Sequence, residues 1–228
     1  MSNATKNATE KAFQQNFVKE LTHYKWNAPD YLDGNKQTVT VQDLINNWRR
    51  ELNRINTDQL EGVELTDSEF KQVMAKVSLI SNSYEAAKIL AIEESKGKID
   101  GIYRDDNPKL TRKQITLTIF KKAEVRGGDS SYQIAREIQT PNGNRFDIVL
   151  LINGLPLINI EQKRTDKSLD EAFGQFQRYY RDGEYTNNFM GFSQMMVVTT
   201  EIETRYFATP KSADEFNPSF VFHWSDKE

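Results

Sequence analysis

Hydrophobic residues recur at helical spacing through the first hundred residues of the chain. In the segment 10–21 the apolar side chains fall on one helical face, and Thr9 is placed to cap the start of that helix. Thr66 and Glu69 stand three positions apart at the head of another apolar pattern, which is the spacing of a capping box. After a turn-rich stretch at 27–39, the pattern predicts a helical subregion of roughly 40–100, with helices over 42–55, 66–77 and 83–94.

From residue 114 onward the apolar residues follow the spacing of β-strands. Residues 114–120 and 132–138 alternate in polarity. The runs 146–152 and 155–160 are apolar almost throughout, which predicts burial on both faces at the centre of a sheet. A helix with an apolar stripe is predicted over 169–181, and further strands over 194–199, 203–208 and 220–222.

The order of these elements predicts an α/β fold, with a mixed β-sheet flanked by helices and a helical insertion. The 228 residues, of which 37% are hydrophobic, are enough for one substantial core. We therefore expect a single domain over 1–228, whose catalytic core covers about 10–25 and 112–226.

Charged residues stand at the ends of the two most apolar runs. The first run opens with Asp147, and the second closes with Glu161 and Lys163. If the turn between them is a three-residue loop at 153–155, Asp147 faces Glu161 on the same side of the sheet. A two-residue loop at 154–155 would put Asp147 on the opposite side unless a β-bulge corrects the register, and the sequence leaves both registers open.

Two carboxylates and an amine beside an apolar sheet are the components of a metal-dependent phosphodiesterase. Asp147 and Glu161 supply oxygen ligands of the kind that Mg²⁺ prefers, and the backbone carbonyl of Gln162 is a further candidate ligand. The metal would acidify a bound water, while Lys163 would position or help deprotonate that water and attract the phosphate. The alternative is an ordinary salt-bridged strand end. The other acid-x-lysine triplets, 69–71 and 94–96, lie at helical spacing and are interpreted as solvated helix faces.

Supporting residues are predicted on two helices. Gln175 and Tyr179 lie four positions apart on one face of the helix that follows the motif, where they could orient a phosphate or a metal-bound water. Packing in the core is the alternative role for the tyrosine. Glu10 could bring another acid to the metal from the first helix, although the helix dipole alone also favours an acid in a first turn.

Composition excludes several other chemistries. The chain has no cysteine and only two histidines, which leaves little support for thiolate or histidine zinc sites or for a Ser-His-Asp triad. It has no apolar run of the ~20 residues needed to span a bilayer. The absence of cysteine fits a cytoplasmic protein. The net charge of −3 gives no global attraction to nucleic acid, so any grip on DNA must come from local Lys and Arg side chains.

The motif resembles a known family. Residues 146–163 resemble the nuclease motif of type I restriction enzyme R subunits, in the PD-(D/E)xK superfamily, and the Gln175-x-x-x-Tyr179 pattern resembles the motif that follows it there. Phe146 stands where that family usually has proline, and Gln162 where it usually has leucine. We expect Gln162 to be tolerated because that position contributes a backbone group.

The resemblance implies a Mg²⁺-dependent endonuclease domain that acts on double-stranded DNA, with methyltransferase and specificity subunits as partners. In such proteins ATP serves motor domains that carry a G-x-x-x-x-G-K-[ST] phosphate loop, which this sequence lacks. We therefore expect an isolated N-terminal nuclease domain that does not bind ATP. A stand-alone repair or junction-resolving nuclease and a catalytically idle docking module are the alternatives.

Overall fold

The computed structural model describes residues 3–91, 97–120, 128–165 and 169–224, with side chains from residue 11 onward except at 169. Its α/β architecture confirms the predicted fold class: a mixed β-sheet has helices packed on both faces. The helices are α1 (Asn3–His23), α2 (Val41–Ile55), α3 (Asp67–Val77), α4 (Ser83–Ala91) and α5 (Leu169–Arg181), with short 3₁₀ turns at 30–32, 189–192, 213–215 and 218–220.

Within the described residues, seven strands form the main sheet and two form a small separate one. The main sheet has the order β1-β4-β5-β6-β7-β8-β9, in which β1–β4 and β6–β7 pair in parallel and the other neighbours are antiparallel. Its strands are β1 (Val39–Thr40), β4 (Tyr132–Gln139), β5 (Arg145–Ile152), β6 (Leu155–Gln162), β7 (Met195–Thr199), β8 (Thr204–Ala208) and β9 (Phe222–Trp224). The small sheet pairs β2 (Lys98–Tyr103) with β3 (Gln114–Thr118).

The strands β5 and β6 lie at the centre of the main sheet, as their continuous apolarity predicts. Different helices cover the two faces of these strands. Val149 and Leu151 face the large core built with α2 to α5, whereas Ile148 and Ile160 face Val18 of α1. This central hairpin is therefore packed between helices on both faces of the sheet.

Several expectations about the first half of the chain differ from the structure. The predicted cap at Thr9 is wrong, because α1 begins at Asn3 and Thr9 lies inside it. The strand predicted at 114–120 forms, but it pairs with β2, which the sequence pattern does not predict. The turn-rich stretch contains the short strand β1 at its end. No helix in the described part of the chain is long and apolar enough to cross a membrane.

The capping box at the start of α3 is confirmed, but Glu69 is not on a solvated face. The backbone N–H of Thr66 donates to Glu69, and the backbone N–H of Glu69 donates to the Thr66 hydroxyl. Glu69 is nevertheless fully buried, because the guanidinium of Arg104 packs against it with a Nε–Oε1 distance of 2.9 Å. The interpretation of 69–71 as a solvated helix face is therefore wrong for Glu69, and the triplet 94–96 lies outside the described residues.

The turn between β5 and β6 sets the register of the motif. It is a two-residue loop of Asn153 and Gly154, both with positive φ (51° and 78°), so neither of the two loops predicted from the sequence is the right one. Leu157 is then the extra residue of a bulge, which shifts the pairing from Ile152↔Leu155 to Ile148↔Ile160. Continued by one residue, this corrected register places Asp147 opposite Glu161, as the first of the two predicted registers does.

Position 154 requires glycine for two reasons, the positive φ of its backbone and the close approach of α2. A Cβ at Gly154 would lie 2.8 Å from Cα of Trp48 in α2, and the φ of +78° disfavours any side chain. We expect Gly154→Ala to lower the free energy of unfolding by about 2–4 kcal/mol, from left-handed backbone strain and overpacking together. Gly143 has a φ of +81° with nothing within 4 Å, so Gly143→Ala should cost only about 1–2 kcal/mol. Equal losses in urea unfolding would contradict the importance of the contact with α2.

Candidate active site

Two carboxyl groups meet where β5 and β6 cease to pair. Asp147 at the start of β5 and Glu161 at the end of β6 lie within hydrogen-bonding contact of each other. Oδ2 of Asp147 also accepts a hydrogen bond from the backbone N–H of Gln162 at 2.8 Å, while Glu161 is only 1% exposed. The chain reversal therefore brings the two acids side by side, as the register correction requires.

Lys163 completes the group of charged side chains. Its Nζ lies 3.6 Å from Oε2 of Glu161, and its side chain is 17% exposed. The backbone N–H of Lys163 donates to the carbonyl of Thr199 at 2.9 Å, which fixes the strand end beside β7. All three residues of the predicted catalytic motif therefore lie together at one end of the two central strands.

Burial and mutual repulsion change the acidity of the two carboxyl groups. Burial raises the pKa of Asp147, against the opposing effects of Lys163 and the Gln162 N–H. The pKa of Glu161 is raised well above its usual value, first by burial and second by the neighbouring charge of Asp147. The positive charge of Lys163 opposes this shift. The pair therefore keeps a proton at pH values where ordinary carboxyl groups are ionised, and a cation bound there would displace it.

Helix α5 supports the site through the two predicted residues. Nε2 of Gln175 donates to Oε2 of Glu161 at 2.7 Å and also to the hydroxyl of Tyr179. That hydroxyl donates in turn to the backbone carbonyl of Arg145 at 2.7 Å. Burial raises the pKa of Tyr179, so its hydroxyl stays protonated. Gln175 thus orients the carboxylate directly, whereas Tyr179 acts through Gln175.

The oxygen atoms at this end of the two strands fit a hard divalent cation. Two carboxyl groups converge, and the carbonyl of Gln162 points to the same side of β6 as its N–H, which faces Asp147. Mg²⁺ commonly takes one or two carboxylates and keeps several waters, so this donor set suits it. No group of three or more His, Cys, Asp or Glu side chains arranged to hold a metal occurs among the residues that the structure describes. Glu10 lies in α1, and its side chain is outside the described part.

Comparison with known proteins adds an independent observation. Residues 7–215 match the sequence family described as type I restriction enzyme R protein N terminus. The chain belongs to this family.

Proteins with similar sequences are named endonuclease subunits of type I restriction enzymes. The SauCOLORF180P endonuclease subunit of a type I restriction enzyme from Staphylococcus aureus (strain COL) is 33% identical over 197 residues, covering 84% of this chain and 19% of the relative. The SsaAORF53P endonuclease subunit from Staphylococcus saprophyticus is also 33% identical, over 198 residues that cover 84% of this chain and 19% of the relative. The EcoprrI endonuclease subunit from Escherichia coli is 24% identical over 221 residues, covering 86% of this chain and 64% of the relative. The chain spans about a fifth of the length of the staphylococcal relatives.

Two departures from the usual motif of the type I R protein N-terminal family have structural consequences. Phe146, in place of proline, packs its ring edge-on to Tyr179 at 5.3 Å between centroids and stacks on Tyr185 at 5.6 Å. It therefore ties the start of β5 to α5. Gln162, in place of leucine, is 1% exposed and lines a cleft beside Asp147.

That cleft contains residues that the sequence reasoning missed. It has a volume of about 230 Å³, and residues of α1 form part of its lining. Glu137 lies in it with a φ of 54°, held by Nε2 of Gln14 at 2.6 Å and by Nε of Arg145 at 3.1 Å. Lys11 lines the same cleft. Arg145 directly precedes the motif in sequence, but no local pattern indicates that α1 and β4 approach it.

Proposed function

We propose that this chain is the Mg²⁺-dependent endonuclease domain of a type I restriction enzyme R subunit and hydrolyses phosphodiester bonds of double-stranded DNA. The observation that carries the proposal is that Asp147, Glu161 and Lys163 lie together where the central strands β5 and β6 cease to pair. Family membership supports the same activity, because the relatives described above are named endonuclease subunits.

Each residue has a distinct part in this reaction. Asp147, Glu161 and the carbonyl of Gln162 would hold the cation, which supplies an acidified water and stabilises charge on the phosphate. Lys163, within 3.6 Å of Glu161, attracts the scissile phosphate and positions the attacking water. Gln175 keeps the Glu161 carboxylate aimed at the cation through its 2.7 Å hydrogen bond.

The partners follow from the same proposal. The substrate is double-stranded DNA, and the complete subunit works in the cytoplasm with methyltransferase and specificity subunits. ATP would be used by other parts of the complete subunit and not by the nuclease domain.

Metal binding by Asp147→Ala tests the proposal. In calorimetric titration with Mg²⁺ or Mn²⁺ we expect the wild-type chain to bind and the variant to lose at least 10-fold in affinity, because one of two carboxylate ligands is gone. Asp106→Ala is the control, since that carboxylate is fully exposed and pairs with Lys113 at the surface. Equal binding by the wild type and Asp147→Ala would contradict the metal site and favour the idle docking module.

A further inference from the structure

The side chain of Gln162 is buried without being satisfied. It is 1% exposed, and neither Nε2 nor Oε1 has a hydrogen-bond partner among the described residues. An unpaired buried amide destabilises a folded protein, whereas an apolar side chain at the same position would not carry this cost. The glutamine therefore carries a cost that its backbone role at the motif does not explain.

Gln162 lines the cleft beside Asp147, and its amide is buried in the wall of that cleft. Gln162 follows Ile160 by two residues and so shares its face of β6, on which Ile160 packs with Val18 of α1. Two neighbouring polar side chains of this cleft, Gln14 and Arg145, are already engaged, because both contact Glu137. The amide of Gln162, by contrast, has both its donor and its acceptor unpaired within the described residues.

The chemistry of an amide limits what can satisfy it. Nε2 needs an acceptor, which a phosphate oxygen provides, whereas Oε1 needs a donor, which a phosphate diester lacks. A water in the hydration shell of a divalent cation is such a donor, and Mg²⁺ usually keeps several waters when it binds protein. A hydrated cation together with a phosphate meets both needs at once.

We propose that Gln162 is a positioning residue of this site, whose Oε1 accepts from a water of the hydrated cation and whose Nε2 donates to an oxygen of the DNA phosphate. This inference rests on the proposed function and deepens it. The side chain orients the outer oxygen atoms of the bound complex on the α1 side of the sheet, while Gln175 orients Glu161 from the α5 side.

Replacing Gln162 with leucine, an apolar residue without hydrogen-bonding atoms, separates this role from a structural one. Without metal, Gln162→Leu should raise the Tm by about 3 °C, because the unpaired amide is removed. Titrated with Mg²⁺ alone, the same variant should bind about 10-fold more weakly, as expected for the loss of an outer-sphere partner. A raised Tm with unchanged Mg²⁺ affinity would overturn the proposal. Gln162→Met, which keeps the side-chain length, provides the same comparison if the leucine variant folds poorly.

A buried glutamine with satisfied hydrogen bonds provides the matched control. Gln133 on β4 is 4% exposed, and its side-chain amide forms hydrogen bonds with Asn47 and with the hydroxyl of Tyr31. Gln133→Leu should therefore lower the Tm and leave Mg²⁺ affinity unchanged.

Asp147→Ala distinguishes failure of this inference from failure of the proposed function. If Asp147→Ala loses Mg²⁺ binding and Gln162→Leu keeps it, the role of Gln162 is overturned while the metal site stands. If the wild-type chain binds no Mg²⁺, or if Asp147→Ala binds it as well as the wild type does, both are overturned.

Discussion

Replacing Glu161 with glutamine should stabilise the metal-free protein at neutral pH and reduce Mg²⁺ affinity by at least 10-fold. Glu161 is 1% exposed, and burial and Asp147 raise its pKa well above the usual value. The folded state therefore holds a proton that the unfolded state has already released, so the free energy of unfolding falls as the pH rises above the ordinary carboxyl value of 4.5. A neutral glutamine removes this penalty, which we expect to be on the order of 1–2 kcal/mol.

The pH dependence makes the prediction specific. In urea unfolding without metal, Glu161→Gln should exceed the wild type in stability at pH 8 and differ little from it at pH 4, where the acid is protonated in both states. Wild-type affinity for Mg²⁺ should rise with pH, because the cation must displace the shared proton. Glu64→Gln, at an exposed acid, should change neither quantity. The same stability difference at both pH values would contradict the buried charge as its cause.

The central hairpin shows how far the sequence predicts the fold. Its two strands and the bounds of α5 follow from apolar periodicity, and the structure has α5 at Leu169–Arg181 as predicted. The register does not follow from periodicity, because it depends on one turn and one bulge. The Asn153-Gly154 pair is the strongest local signal for a two-residue turn, whereas the bulge at Leu157 has no local signature. The partner of β3 escapes prediction because β2 carries Lys98, Asp100 and Gly101, which weaken its apolar pattern.

The residues of the site can be predicted where they stand at the ends of the two apolar strands, but not where other elements of the fold approach those strands. Asp147, Glu161 and Lys163 are recognisable because charges end apolar runs, and the structure brings these three together. Glu137 belongs to the same cleft only because its backbone adopts a φ of 54° and Gln14 of α1 reaches it from 123 positions away. Tertiary approach of this kind leaves no periodic pattern in the sequence.

Replacing Arg104 with methionine should lower the free energy of unfolding by about 3–5 kcal/mol. Arg104 and Glu69 have fully buried side chains, and the Nε–Oε1 distance is 2.9 Å. The guanidinium also donates to the backbone carbonyls of Leu60 at 3.3 Å and Val63 at 3.0 Å. Methionine keeps the volume but leaves a buried carboxylate and two carbonyls without these donors.

An exposed ion pair provides the comparison that assigns this loss to burial. Lys113 and Asp106 form an ion pair with side chains 67% and 101% exposed, so Lys113→Met should change the free energy of unfolding by less than about 1 kcal/mol. Glu69 also accepts from the backbone N–H groups of Thr66 and Asp105, so it joins the start of α3 to the segment after β2. Because the hydrogen bonds of Glu69 and Arg104 lie within the helical subregion and not at the carboxyl pair, folded Arg104→Met should keep wild-type Mg²⁺ affinity. A loss within 1 kcal/mol of that of Lys113→Met in urea unfolding would show that the buried pair is not what anchors the helical subregion.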